Sequence, residues 1–398
     1  MIKRFNQYIK EEYRQDTFKD SNGSVYRVYE LLFYAFDWDD NILRMPTEII
    51  LLNKNGEEVG MSTEDFAKYR DIIGKKEFDY NGQTITGYAN DSFRYFRDET
   101  DPKIFVKDVK KAINEKRFAK SYNDFIECLT TGALFAIITA RGHETDPIDN
   151  SSPMREGIEY IISMLEPKQK ESMIDHLKMY AHLFDESIGS DDELIKNYLN
   201  ICEYIGVSAP SRGGKPENPE KSKEDAFFAF VKKCNDFAKI LEDKFNKDPE
   251  TIKKGEKWKV VAKIGFSDDD SKNVKHIDDV VKELKNETFS NVKEFFIKDT
   301  GKEEVETNIY TKYEESNVLI FKHFETQSNF GGGAGDPMSA SIVPFTNFNT
   351  TVQGEVSGNF LPGGSENRQD AFGDRLRKQT KFLTKTSKEI FKNRKKKD

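Results

Sequence analysis

The sequence predicts an α/β fold built on a mainly parallel sheet, and three observations carry that reading. From residue 25 to about 325, apolar runs alternate with helical periodicities, the order that a chain of strand-helix-strand units requires. The runs at 31–36, 134–139 and 260–266 are almost continuously apolar, as suits strands covered on both faces. Beyond 325 no period of 2 or 3.6 is sustained. Residues 329–373 are rich in Gly, Ser, Asn and Pro, which predicts a long extended tail that is disordered on its own.

In chain order, residues 1–24 read as an N-terminal peptide and a linker. Ile2, Phe5 and Ile9 recur at helical spacing, which suits a short helix packed on its own domain or a docking peptide for a partner; the polar stretch 15–24 follows. Residues 25–325 form the main domain. The segment 44–103 breaks its alternation, because apolar residues 49–52 and Val59 flank Asn55-Gly56, a hairpin turn signal. It is read as a cap inserted over the sheet, and 144–210 as a second, helical insertion. Helical patterns cover 102–130, 155–164, 172–184, 191–204, 222–245 and 273–284, with further strands at 294–297 and 318–324. The tail is 326–398. Its last part, 371–398, holds eleven basic and three acidic residues in a chain whose net charge is -8, which suits either a solvated basic tail or one that binds nucleic acid or an acidic protein surface.

Composition excludes several classes. No apolar run approaches the roughly 20 residues that span a bilayer, so no membrane partner is expected. The basic N-terminus lacks the apolar core of a secretory signal and is expected to be retained. Three cysteines, Cys128, Cys202 and Cys234, without CxxC spacing argue against a disulfide framework or a cysteine zinc site and suggest a reducing, cytoplasmic location. Five scattered His give no metal pattern, and no GxxxxGK[ST] loop is present.

The chemistry falls at three strand ends. In Phe36-Asp37-Trp38-Asp39-Asp40-Asn41, two carboxylates at i and i+2 end a buried strand, where they can hold a hard cation or act as nucleophile and proton carrier. Trp38 suits packing or stacking on a substrate. The run 134–138 ends in Thr139-Ala140-Arg141-Gly142, whose hydroxyl and backbone N–H groups can bind a phosphate oxygen, while Thr139 equally suits a helix cap. Arg141 can reach a phosphate bidentately or form a surface salt bridge. The run 260–266 ends in Ser267-Asp268-Asp269-Asp270, with Asn273 and a helix after it.

Strand-DxDxN, strand-TARG and strand-SDD-x3-N, in this order, resemble the haloacid dehalogenase-like phosphatase superfamily over about 300 residues. The resemblance implies a Rossmann-like domain and a Mg²⁺-dependent phosphomonoesterase. Asp37 would be the nucleophile and Asp39 the general acid/base. Thr139, Ala140 and Arg141 would bind the phosphoryl group. Mg²⁺ would sit on Asp37, Asp268, Asp269 and the Asp39 carbonyl. The family's third motif is a lysine. Lys223 opens a helical pattern and is preferred for it, with Lys221 and Lys215 as competitors. Asn41 stands where Thr is commoner, a departure that bears on positioning.

The implied substrate is a phosphorylated small metabolite, nucleotide or polynucleotide end. The alternative is a structural or interaction protein of a larger assembly such as a virion. In that reading residues 329–398 bind a protein partner. The Lys-, Asn- and Ile-rich style resembles that of tailed-bacteriophage proteins, which would place the chain in the host cytoplasm or the particle.

Overall fold

The computed structural model describes residues 17–19 and 25–327, apart from 99–100, 102, 184–188, 215–217, 254, 256, 285–288 and 316–317. The helix expected within 1–12, Lys215 and the tail from 328 onward lie outside the described residues. The strands are β1 (Thr17–Lys19), β2 (Val25–Phe36), β3 (Glu48–Asn53), β4 (Glu58–Ser62), β5 (Phe78–Tyr80), β6 (Gln83–Tyr88), β7 (Phe135–Thr139), β8 (Glu203–Gly206), β9 (Trp258–Asp268), β10 (Val292–Asp299), β11 (Glu306–Glu315) and β12 (Val318–Gln327). The α-helices are α1 (Thr63–Tyr69), α2 (Ile104–Asn114), α3 (Tyr122–Thr130), α4 (Pro153–Ser163), α5 (Pro167–Leu183), α6 (Asp191–Ile201), α7 (Pro219–Lys247), α8 (Pro249–Lys253) and α9 (Ser271–Glu283).

The protein is a mixed α/β molecule with a mostly parallel sheet flanked by helices. Among the described residues eight strands form the main sheet, in the order β12-β11-β10-β9-β2-β7-β8, with β1 paired to β2. The run from β10 to β8 is parallel throughout, while β11, β12 and β1 are antiparallel additions. Every residue of β7 is buried, as its unbroken apolar run requires. On β2, Tyr29 and Phe33 meet Phe245 and Phe237 of α7, and Phe266 of β9 meets Phe227 of the same helix. Strand periodicity turns Glu30 and Lys263 to the opposite face, where Lys263 bridges Glu30 and Glu294 at 2.8 and 3.3 Å.

Connectivity creates a switch point in this sheet. From β2 the chain moves to β7 and β8 on one side, then returns through α7 to β9 on the other side of β2. Neighbouring strands β2 and β9 therefore lead away in opposite directions, and ligands in open α/β sheets bind at the C-terminal ends of such a pair.

Residues 48–88 form a separate four-stranded antiparallel sheet, β4-β3-β6-β5. It has its own core of Ile49, Leu51, Val59, Met61, Ile73 and Ile85. The hairpin turn carries Gly56 at φ 78°, a left-handed conformation that glycine adopts without strain.

Several elements differ from the sequence reading. The helical pattern 102–130 is two helices, because the chain leaves the helix at Glu115 and Lys116 takes φ 55°. The segment 144–210 is not an insertion. Its last part, β8, pairs in parallel with β7, and α4 to α6 bury Met154, Ile158, Met173, Leu194 and Leu199 in the same core as the main sheet. It is the crossover between two adjacent parallel strands. The linker 15–24 contains β1, and β11 falls where no strand was expected.

β8 packs tightly on the segment after β7. A Cβ on Gly206 would lie 2.7 Å from the carbonyl oxygens of both Arg141 and His143. Because those atoms are backbone, Gly206→Ala is expected to cost about 1–3 kcal/mol. Urea denaturation measures this, and a loss of only a few tenths of a kcal/mol would contradict the close approach.

Candidate active site

Strand ends of β2, β7 and β9 bring the three motifs together at the switch point. Phe36 pairs with Ser267 and with Ile137, so Asp37 follows β2 directly, Asp268 ends β9 and Thr139 ends β7. Asp37, Asp268 and Asp269 each offer a carboxylate oxygen, and these atoms all lie within 4.8 Å of one another. Hard oxygen donors so arranged suit a hard divalent cation.

One lysine reaches into the cluster. Lys223 Nζ donates to Asp37 Oδ1 at 2.9 Å and to Asp268 Oδ2 at 2.7 Å, with all three side chains buried. Helix periodicity explains how it arrives there. Asn218 caps α7, and Lys223 opens the buried stripe that continues through Phe227, Phe230, Cys234, Ala238 and Leu241. Lys221, on another face, pairs with Glu224 and Asp225.

Electrostatics follow from burial and crowding. Desolvation pushes Asp37 up to about 8, with Asp268 and Asp39 adding to the rise and Lys223 opposing it. Asp269 rises to about 9, again first by burial and then by Asp268 and Asp37. Lys223 is held above the usual lysine range, because Asp268 and Asp37 outweigh the desolvation that would lower it. Together Asp37, Asp39, Asp268 and Asp269 face two cations, Lys223 and Arg141, leaving two surplus negative charges when all are ionised.

Arg141 sits differently from its sequence reading. It is 1% exposed, so it makes no surface salt bridge, and its fork is directed at Asp39. Nε donates to Asp39 Oδ2 at 2.8 Å and Nη2 to Asp39 Oδ1 at 2.7 Å. Nη2 also donates to Thr47 Oγ1 at 2.9 Å, and Nη1 has no acceptor among the described residues. Thr139 is buried, and its hydroxyl accepts a long 3.4 Å bond from the Arg141 N–H; Ala140 is exposed. Trp38 is fully buried against Phe105 and Phe125, a packing role.

Two asparagines that the motifs contain act as braces. Asn41 Nδ2 donates to the carbonyls of Asp37 and Ser267 and to Ser267 Oγ at 3.0–3.1 Å, while its Oδ1 accepts from Thr300. This buried amide rivets the ends of β2 and β9, and its DxDxN position was the one signal for it. Asn273 donates to both Asp268 oxygens at 3.2 Å. Arg70 after α1 pairs with Asp270 at 2.8 Å, tying the segment of the smaller sheet to the third motif.

Among the described residues no helix is long and apolar enough to cross a membrane. No family model matches the chain, and neither a curated protein nor a solved structure does.

Proposed function

We propose that the protein is a Mg²⁺-dependent phosphomonoesterase of the haloacid dehalogenase-like kind, working through an aspartyl-phosphate on Asp37. The observation that carries this reading is the convergence of Asp37, Asp268 and Asp269 on one another at the sheet's switch point, with a buried lysine paired to the first two. Burial and crowding that hold protons on Asp37 and Asp269 in the metal-free fold are a cost to stability, whereas a cation bound there would release those protons and assist phosphoryl transfer.

Asp37, Asp268, Asp269 and the Asp39 carbonyl would hold the metal, which when bound withdraws charge from the phosphoryl oxygens. Lys223 keeps the Asp37 carboxylate oriented and offsets phosphate charge. An Asp37 oxygen attacks phosphorus while the bond to the leaving oxygen breaks, and that oxygen takes the proton of Asp39, which starts the cycle as the carboxylic acid. Asp39 then takes a proton from water, the water oxygen attacks phosphorus, and the Asp37 carboxylate departs with release of inorganic phosphate. The Thr139 hydroxyl at the end of β7 is on hand for a phosphoryl oxygen. The layer tied down by Arg70 would select among small phosphorylated metabolites, nucleotides and polynucleotide ends.

The test is phosphate release from an aryl phosphate and a nucleotide panel, with Mg²⁺ and with EDTA. Turnover that requires the metal supports the reading, and equal rates in EDTA would overturn it.

Stability should report the same site. Asp37 and Asp269 keep protons in the metal-free fold up to about pH 8 and 9, whereas the unfolded chain releases them near the ordinary value of about 3.9. Between those limits the folded state binds more protons than the unfolded one, so these two groups make stability fall as pH rises. Mg²⁺ binding removes that penalty. The rise in melting temperature on adding Mg²⁺ is therefore expected to grow from pH 5 to pH 9; a pH-independent rise would contradict the assignment of ligands.

A further inference from the structure

Arg141 is held from three directions, and each contact has a separate origin in the chain. Its fork takes both oxygens of Asp39. Its Nη2 also donates to Thr47, whose hydroxyl donates in turn to Asp108 Oδ2 at 2.5 Å. Its guanidinium lies over the rings of Phe96 and Phe105, 4.6 and 5.2 Å from their centroids. Thr47 immediately precedes β3, and Phe96 follows β6, so the two segments that lead into and out of the smaller sheet both close on this one side chain.

The backbone reinforces the arrangement. Gly142 N–H donates to the Phe96 carbonyl at 2.9 Å, and Arg97 and Gly142 form a parallel bridge. A Cβ on Gly142 would lie 2.9 Å from the Ser208 carbonyl oxygen, so the glycine permits the contact. One residue on, His143 Nδ1 is 2.7 Å from Asp98 Oδ1, and Asp98 Oδ2 accepts from the Glu144 N–H at 2.8 Å. The segment after β7 is thereby zipped to residues 96–98.

We propose that Arg141 is a positioning residue: it aims the Asp39 carboxylate and makes that aim depend on the roots of the smaller sheet. This rests on the reading of Asp39 as proton carrier. A planar fork fixes a carboxylate in distance and in plane, which a single lysine ammonium does not. With Thr47, Phe96 and Phe105 around it the guanidinium has one place to stand. The carboxylate it grips inherits that placement.

The alternative is that Arg141 binds the phosphoryl group itself, and the two roles separate in kinetics. The experiment compares wild type, Arg141→Ala, Arg141→Lys and Thr47→Val with Mg²⁺, using an aryl phosphate and an alkyl phosphate. It reads kcat, KM and the inhibition constant of inorganic phosphate, with thermal melting to confirm folding. General acid/base catalysis contributes about 10²–10⁴-fold. Arg141→Ala is expected to lose on the order of 10² in kcat on the alkyl phosphate, whose leaving group needs the proton, and less on the aryl phosphate. KM and the phosphate inhibition constant stay within about twofold, added guanidinium restores part of kcat, and Arg141→Ala costs nothing further in an Asp39→Asn background. Arg141→Lys keeps the charge without the fork and is expected to remain impaired. Thr47→Val should lose a few fold in kcat with the same leaving-group bias.

A phosphate inhibition constant raised tenfold in Arg141→Ala or Arg141→Lys would make Arg141 a phosphate ligand and overturn the positioning role. So would folded variants with unchanged kcat. Wild type without metal-dependent turnover on either substrate would overturn the phosphatase reading itself, and the role of Arg141 with it.

Discussion

Asp37→Asn is expected to abolish Mg²⁺-dependent phosphate release, by at least about 10³-fold, while the protein stays folded. The amide keeps the size of the carboxylate but is not a nucleophile toward phosphorus. It also removes a charge that burial already disfavours, since Asp37 is pushed up to about 8 in the metal-free fold. The metal-free variant is therefore expected to melt no lower than wild type above neutral pH, even though Lys223 loses one of its two carboxylates. Loss of turnover with unchanged or raised melting temperature would separate chemistry from structure. Substantial turnover by a folded Asp37→Asn protein would rule out the aspartyl-phosphate route.

Lys223→Met should give the largest effect on the fold. The side chain is buried, and it is shared by Asp37 and Asp268, themselves buried. Removing one partner of a buried pair leaves uncompensated charge, at a cost of about 3–5 kcal/mol. Methionine preserves most of the aliphatic volume along the buried stripe of α7, so the loss is electrostatic more than steric. Mg²⁺ is expected to recover part of it by taking over the two carboxylates. Denaturant unfolding with and without the metal measures both effects. A loss below about 1 kcal/mol would mean that the lysine does not neutralise the cluster.

The sequence was most informative where chemistry coincides with a local pattern. Asp37, Asp268 and Asp269 stand at the ends of apolar runs, and strand ends in a parallel sheet share one edge, so their convergence was legible in the sequence. Lys223 was harder. A lysine at the start of a helix is ordinary, and only its place on the stripe with Phe227, Phe230 and Cys234 sets it apart from Lys221. The bond from Arg141 to Asp39 spans 102 residues, and that from Asn41 to Ser267 spans 226. Such pairings depend on how elements dock, which no local period records.

The same physics explains the misread elements. β8 is only Glu203–Gly206 and follows α6 after one residue, so its short apolar run looked like the end of a helix. Without that strand the helices before it have no parallel partner to lead to, and their pattern reads as an insertion. β11, Glu306–Glu315, is polar along much of its length and gains its place through pairing with β10 and β12 instead of through an apolar run. β1 has three residues within a polar stretch, too few to show a period.

The central claim is that Asp37 becomes covalently phosphorylated. The most direct measurement mixes wild-type protein with Mg²⁺ and excess aryl phosphate, quenches in acid, reduces the acyl phosphate with borohydride and locates the modified residue by mass spectrometry. The account predicts reduction at residue 37 in wild type and its accumulation when Asp39→Asn blocks hydrolysis of the intermediate. Metal-dependent phosphate release with residue 37 unmodified in both proteins would contradict it.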